Sequence, residues 1–450
     1  MNRFSIIALN LNENLTDIDI KNTESEIVSF KLLDEDNKFK YGLGNFINQL
    51  IDFGISFKGI GIELCIVALL VTAGDKISRK EHSQDSWTRE IDLYIPVFNI
   101  EKWTRNKQLL EKTLNFLSGD IWRLFFRPTE NCYRSLFSPI QQRLTQDIDC
   151  VCLFSGGMDS FIGATDLLSS GRKPLLVSHY WDTLTPSYQR NCISSLNDEY
   201  GDSCIKQAKA HMGFKNDFFP QAEPENTLRA RSFLFFSLAV LASTGLNNSS
   251  EIFIPENGLI SINVPLTQLR LASLSTRTTH PFYMARVQEL LDNLEIDSVL
   301  INPYKFKTKG EMAQECINQK FLKKNLKYTI SCSSPGKGRY AGESQEHCGH
   351  CMPCIIRQSS IKHAFNTDDT DYRITLPSED LDRTKAEGKD VKAFNFAIER
   401  MENNLEDIQS LIYIPGPLYD YSFEEIDKFA DVYRRGMLEV KNLLSAVRVS

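Results

Sequence analysis

Apolar and polar positions fall into three textures along the chain. From Cys150 onward, short apolar runs (Cys150–Phe154, Leu175–Ser178, Ile252–Pro255) alternate with longer stretches of helical periodicity, and the pattern runs to about Phe365. Strand–helix–strand alternation at this spacing predicts a parallel sheet with right-handed crossovers. Before it, residues 1–145 predict an N-terminal α/β or α+β unit. There Ile91, Leu93 and Ile95 alternate with Asp92 and Tyr94, a strand that stops at Pro96. Leu109, Leu110, Thr113, Leu114 and Leu117 then recur at helical spacing with Gly119 at the C-cap, and Trp122–Phe126 reads as a strand closed by Pro128. The division is therefore 1–145, 146–365 and a C-terminal helical region, 366–450. That last region opens on an acidic linker (Asp368, Asp369, Asp371). Ser422 and Glu425 then form a capping box, and Ile426, Phe429, Tyr433, Met437, Val440 and Leu444 trace one apolar stripe. The stripe predicts a helix docked on the main body, with an oligomer contact as the alternative.

Two apolar runs invite a membrane reading, Cys65–Ala73 and Phe233–Ala242, but both fall well short of the ~20 residues a span requires and predict buried helices. The opening Met1-Asn2-Arg3-Phe4 leads into a patch broken by Asn10, Asn12 and Glu13, which does not read as a signal peptide. A cytoplasmic protein that binds no membrane is expected. The 450 residues, 42% hydrophobic and 24% charged, suit a multidomain globular chain. With 51 Lys+Arg against 58 Asp+Glu, the net charge of -7 argues against a phosphate-coating nucleic-acid binder. Eleven cysteines is an odd count; seven are scattered and four crowd between residues 332 and 354. A reduced protein with one metal site fits that distribution better than a disulfide framework.

The most informative string is Ser155-Gly156-Gly157-Met158-Asp159-Ser160, between an apolar strand and a helix. Two glycines let the backbone turn tightly and approach a ligand. The amides of the new helix then point at an anion, with the positive end of the helix dipole behind them. Ser155 and Ser160 add hydroxyl donors, and Asp159 can hold magnesium against phosphates. No lysine follows, so the loop suits a pyrophosphate rather than a γ-phosphate passed to water.

Cys348, Cys351 and Cys354 form a C-x-x-C-x-x-C run, with Cys332 upstream. Four thiolates match the tetrahedral preference of zinc in closed structural sites. His347 and His350 lie within reach as substitute ligands, and an iron–sulfur cluster is the alternative. A structural zinc would tie this loop to the helix Cys354–Ala364.

The loop resembles the PP-loop of the N-type ATP pyrophosphatases, which share a Rossmann-like adenine nucleotide α-hydrolase fold with a parallel sheet. Its pairing with the cysteine run resembles the 7-cyano-7-deazaguanine synthase (QueC) family. Asn226-Thr227 with Arg231, and Pro303, Lys309 and Glu311, also look like segments of that family, so the likeness covers roughly residues 148–364. It implies ATP, Mg2+ and Zn2+ as cofactors, with Ser155, Gly156, Gly157, Asp159 and Ser160 on pyrophosphate and magnesium. It implies adenylation of the carboxylate of 7-carboxy-7-deazaguanine, with pyrophosphate and then AMP released to a nitrogen nucleophile. Asp159, Ser160 and Lys309 become the expected catalytic residues, Lys309 stabilising the adenylate or the leaving phosphate.

The acceptor half departs from the family. Ser178-His179-Tyr180-Trp181-Asp182 keeps only Tyr180 of an Asp-Tyr-Gly-Gln motif, Pro255-Glu256-Asn257-Gly258 replaces the substrate segment, and the loop containing Gly336-Lys337-Gly338-Arg339 is longer. The extra regions, Pro255–Gly258 and Ser275-Thr276-Arg277-Thr278-Thr279-His280-Pro281 resemble the QueC-like proteins of bacterial anti-phage islands, the Qat systems. That branch implies an operon-encoded partner protein whose amine accepts the deazaguanine. Tyr180 and Arg231 are expected on the nucleotide, and Glu256, Asn257, Arg277 and His280 on the substrate. Rival expectations are the biosynthetic nitrile synthase using ammonia, a tRNA-thiolating PP-loop enzyme, and a nucleotide-sensing scaffold without turnover.

Overall fold

The structure, a computed structural model, describes residues 3–77, 83, 85, 87–129, 133, 148–214, 218, 229–246, 251–267, 277–333, 335–336, 346–376 and 386–445. In chain order the first unit runs β1 (Phe4–Leu9), β2 (Glu26–Lys31), α1 (Leu43–Asp52), α2 (Gly59–Asp75), β3 (Glu90–Val97), α3 (Ile100–Arg105), α4 (Lys107–Ser118) and β4 (Ile121–Pro128). The second continues with β5 (Cys150–Leu153), α5 (Met158–Ser169), β6 (Pro174–His179), α6 (Thr185–Tyr200), β7 (Lys206–Ala210) and α7 (Arg231–Ser243). It closes with β8 (Glu251–Phe253), α8 (Gly258–Ile262), α9 (Pro281–Asn293) and β9 (Val299–Ile301). Helices α10 (Lys309–Gln314), α11 (Gln319–Asn325), α12 (Met352–Phe365), α13 (Ala386–Glu402), α14 (Ile408–Ile412) and α15 (Phe423–Leu444) complete the chain.

Both sheets are wholly parallel, one ordered β2-β1-β3-β4 and the other β7-β6-β5-β8-β9. The first unit is thus α/β. Its strand β3 does not stop at Pro96 but runs through it to Val97, buried at nearly every position, Asp92 and Tyr94 included. A strand of a parallel sheet covered on both faces shows no alternation. Beyond Tyr94, β3 pairs with β4 alone, so the missing Pro96 N–H costs no bond to β1. Gly119 caps α4 in the left-handed region, as its position predicts.

The two apolar runs lie back to back between the sheets. Helix α2 covers the first sheet and α7 the second, and Cys65 of α2 donates its thiol to the Ser237 carbonyl of α7 at 3.3 Å. Gly61 brings α2 against the backbone of Leu241 with no space for a Cβ to spare. One continuous hydrophobic core therefore unites both sheets, which explains why α2 is buried all round. No helix among the described residues is long and apolar enough to cross a membrane.

Each edge of the second sheet is closed by a glutamine side chain. At β7, Gln49 donates to the Lys209 carbonyl at 2.8 Å and accepts from its N–H at 2.9 Å. At β9, Gln288 donates to the Ser298 carbonyl and accepts from the Leu300 N–H, both at 2.9 Å. An amide side chain is a short strand in hydrogen-bonding terms, and it satisfies the edge groups that would otherwise pair with another chain.

On the far side of the second sheet, α5, α6, α10 and α11 form a second core. The C-terminal helices pack with α8 and α12 in a third. The stripe of α15 is buried there from Ile426 to Leu444, and its Ser422–Glu425 capping box is present.

Candidate functional site

Strand β5 ends at Leu153 and the backbone reverses through Gly156, whose φ of +84° lies in the left-handed region. A Cβ there would meet Gln189 Cγ at 3.0 Å, so this turn requires glycine on two counts. Ser155 Oγ accepts from the Gly157 N–H at 3.2 Å and lies 3.2 Å from Ser160 Oγ, which donates to the Gly157 carbonyl at 3.0 Å. Gln189 of α6 donates to the Ser155 carbonyl at 3.2 Å. No side chain caps the N-terminus of α5, so its leading amides face outward at the carboxyl end of the sheet.

Strand order reverses between β5 and β8, and a cleft of about 350 Å³ opens there. Ser155 and Ser160 line it from the loop, Arg231 and Phe235 from α7, Glu256 from beyond β8, and Thr278 and Thr279 from the segment before α9. Ligands of open α/β sheets bind at such a switch point. Arg231 also lines a second cavity of about 250 Å³, with His179, Trp181 and His211 from the β6 and β7 ends and Thr72, Asp75 and Lys76 from the end of α2. Its guanidinium donates to the His179 carbonyl at 3.1 Å. Burial pushes Arg231 down to about 10, which leaves it cationic at neutral pH. The N-terminal unit thus supplies one wall beside the loop.

Below the loop lies a buried charge cluster. Lys309, first residue of α10, sits 2.9 Å from Asp159 Oδ1, and the Asn257 amide donates to Asp159 Oδ2 at 2.7 Å. Glu256 lies against the same amide at 3.3 Å. Burial and the adjacent Asp159 push Glu256 well above the ordinary carboxyl range. Burial also raises the cost of charge on Asp159, but Lys309 outweighs it, with hydrogen bonds from Glu256 and Asn257, and holds Asp159 below its ordinary value. Of the two carboxyls, Glu256 therefore holds its proton the more tightly and Asp159 gives its proton up the more readily. Oδ1 of Asp159 faces Lys309 as an ion pair without a hydrogen bond, and Oδ2 accepts from Asn257, so the carboxylate is turned toward these two side chains.

The structure brings Ser155, Gly156, Gly157, Asp159, Ser160, Arg231, Glu256, Asn257 and Lys309 to one place. Asn257 is fully buried as the N-cap of α8, accepting from the Ile260 N–H at 3.0 Å, so it faces Asp159 rather than the cleft. Three expected residues go elsewhere. Tyr180 stacks on His211 with ring centroids 4.9 Å apart. Arg277 donates to the Phe116 carbonyl at 2.8 Å and lies over the Phe116 ring at 4.6 Å. His280 is completely buried, capping α9 through Nδ1 and packing on the same ring. Their partner belongs to α4 of the other unit, which no local reading of a Thr-rich loop could supply. Gln189 carries no motif signal, and Thr279 enters the sequence reading only within the Ser275–Pro281 string, with no role of its own. Cys132, Asn226, Thr227, Ser275, Thr276, Lys337, Gly338 and Arg339 lie outside the described residues.

The four sulfurs of Cys332, Cys348, Cys351 and Cys354 lie within 4.8 Å of one another. Two of the separations, Cys332–Cys351 and Cys348–Cys354, are 3.9 Å. A tetrahedral zinc with Zn–S bonds of ~2.3 Å places its sulfurs about 3.8 Å apart, so the cluster fits the ion. His347 does not join it: its Nε2 accepts from the Ser331 N–H at 3.2 Å and its ring meets Tyr372 edge-on. The ten described cysteines form no disulfide. No protein-family model matches the chain, and no curated protein matches it.

Proposed function

We propose that this chain is an ATP-dependent adenylating enzyme of the QueC-like type, its second sheet the PP-loop form of the Rossmann-like fold. In this reading the triphosphate of ATP lies on Ser155–Ser160 with magnesium as its counter-ion, and Arg231 meets it from the side. A carboxylate oxygen of 7-carboxy-7-deazaguanine attacks the α-phosphorus and pyrophosphate leaves. A nitrogen acceptor then attacks the acyl carbon, and AMP departs as the C–N bond forms. Lys309, fixed by Asp159, stabilises charge on the adenylate or the leaving phosphate. Glu256 faces the deazaguanine or the acceptor. Zinc in the four-cysteine site is structural. No step runs through a metal on Asp159. By resemblance to the anti-phage branch, the acceptor is the amine of an operon-encoded partner protein and the setting is antiviral defence.

One observation carries the reading: an uncapped helix N-terminus behind a Ser-Gly-Gly turn, opening at the switch point of a parallel sheet onto a cleft lined by the half-buried Arg231. That arrangement suits a polyphosphate beside a second, partly apolar substrate. The test is AMP and pyrophosphate release from ATP and 7-carboxy-7-deazaguanine, alone, with ammonium, and with lysate from cells expressing the neighbouring genes. Label ending on a protein supports the ligase. Free nitrile with ammonium makes the chain a biosynthetic 7-cyano-7-deazaguanine synthase. The Lys309–Asp159 ion pair, which ties the loop helix to α10, favours one further reading, a nucleotide-sensing scaffold without turnover. Bound ATP with no AMP under any condition would establish it.

A further inference from the structure

The segment Thr329–Cys332 touches both the phosphate loop and the cysteine cluster. Its residues are pinned one after another. Thr329 Oγ1 accepts from Arg357 of α12 at 2.7 Å. The Ile330 N–H donates to the Gly156 carbonyl at 2.9 Å, and the Ile330 carbonyl lies 3.3 Å from where a Cβ on Gly157 would sit. The Ser331 N–H donates to His347 Nε2 at 3.2 Å. Cys332 is the first sulfur of the cluster. Arg357 and His347 themselves flank the cysteine run, three residues after Cys354 and one before Cys348.

Thr329 is also held by the Leu326 carbonyl, through its N–H at 2.9 Å and its hydroxyl at 2.7 Å, and Arg357 donates to that same carbonyl at 2.7 Å. The anchors on Arg357, His347 and Cys332 belong to the cysteine run, and Gly156 is the residue on which the loop turns. Another contact of the loop, Gln189 to the Ser155 carbonyl, belongs to α6, and Asp159 at its far end is held by Lys309 and Asn257. From these contacts we infer that the metal cluster, acting through the strut Thr329–Cys332, sets the conformation of the Ser155–Ser160 loop, so that metal occupancy governs how tightly the loop holds pyrophosphate. Ile330 is a positioning residue: it reaches no ligand and acts through Gly156. The inference rests on the phosphate-loop reading for its ligand, but not for its mechanics.

A hydrogen bond of this kind contributes about 0.5–1.5 kcal/mol, or roughly two- to tenfold in an equilibrium. Two variants break the strut without touching the sulfurs. Ile330→Pro removes the donor, and Thr329 before it is already extended (φ -93°, ψ 150°), which proline favours. His347→Phe keeps the ring beside Tyr372 and removes the acceptor of Ser331. The full-length protein is loaded with zinc, checked for one zinc per chain, and titrated calorimetrically with inorganic pyrophosphate and magnesium. Amide hydrogen exchange is followed over residues 154–158 and, as a control, over β6. The expected result is that both variants keep zinc, bind pyrophosphate about three- to tenfold more weakly and exchange faster at 154–158, with β6 unchanged. Zinc-stripped wild type should behave like the variants. Unchanged exchange at 154–158 in a zinc-bound variant would overturn the inference. Altered exchange with no pyrophosphate bound even by wild type would leave the strut standing and sink the phosphate-loop reading instead.

Discussion

Replacing Lys309 by methionine removes a charge from the middle of the protein while keeping most of the side chain's length. The ion pair it breaks is 2.9 Å long, with the two side chains only 10% and 7% exposed. At an effective dielectric of about 20, the Coulomb attraction at that distance is about 6 kcal/mol, and desolvation of the two ions offsets part of it. What remains after the substitution is a buried Asp159 beside Glu256, with the hydrogen bonds of Glu256 and Asn257 but no cation to support its charge. Truncating one partner of such a pair costs about 3–5 kcal/mol. Urea unfolding at pH 7.5 with zinc present should show K309M destabilised by that amount. D159N should be destabilised too, because it strands the lysine. The double variant K309M/D159N should recover at least about 2 kcal/mol of the summed single costs, since neither ion is then left alone. A K309M penalty under about 1 kcal/mol, or strictly additive single and double costs, would refute the buried-pair account.

Three further outcomes are expected. Burial pushes the Glu439 carboxyl up to about 7, so the folded state holds its proton more tightly than the unfolded chain, and its penalty grows as pH rises from about 4.5 to 7. E439Q should therefore gain about 2–3 kcal/mol at pH 8 and progressively less toward pH 5; the same gain at both pH values, read from denaturation midpoints, would contradict this. G156A must hold a Cβ at φ +84° against Gln189, and should lose about 1–3 kcal/mol in thermal unfolding; wild-type stability would mean the turn relaxes freely. C348S should lose its zinc by elemental analysis and melt at lower temperature, because a four-thiolate site contributes on the order of 10 kcal/mol to local folding; stoichiometric tightly held zinc in C348S would show that another ligand completes the shell.

How much of this was legible in the sequence depended on how local the cause was. The turn at Gly156, the cysteine run, the cap at Gly119 and the Ser422 capping box are each set by residues a few positions apart, and each appears where its pattern predicts. Strand β7 reads Lys-Gln-Ala-Lys-Ala, with no β-branched or aromatic residue, and owes its extension to β6 on one side and Gln49 on the other. No propensity signals it. Strand β9 is too short to show a period. The meeting of Asp159 with Lys309 depends on how α5 and α10 pack, and the loss of Arg277 and His280 to Phe116 depends on how the two units meet. Cationic and imidazole side chains in a polar loop look like ligand groups until an aromatic ring from elsewhere claims them.

The back-to-back packing of α2 on α7 has a consequence for any shorter chain built on the second sheet alone. Without residues 4–128, the outer side of α7, including Ser237 and Leu241, would lose its cover and stand bare in water. Such a chain would also leave the cavity at His179 and Arg231 without the wall that Thr72, Asp75 and Lys76 supply. Here the cover is carried in the same polypeptide. The first unit thus fills on α7 the place that a second subunit would otherwise take.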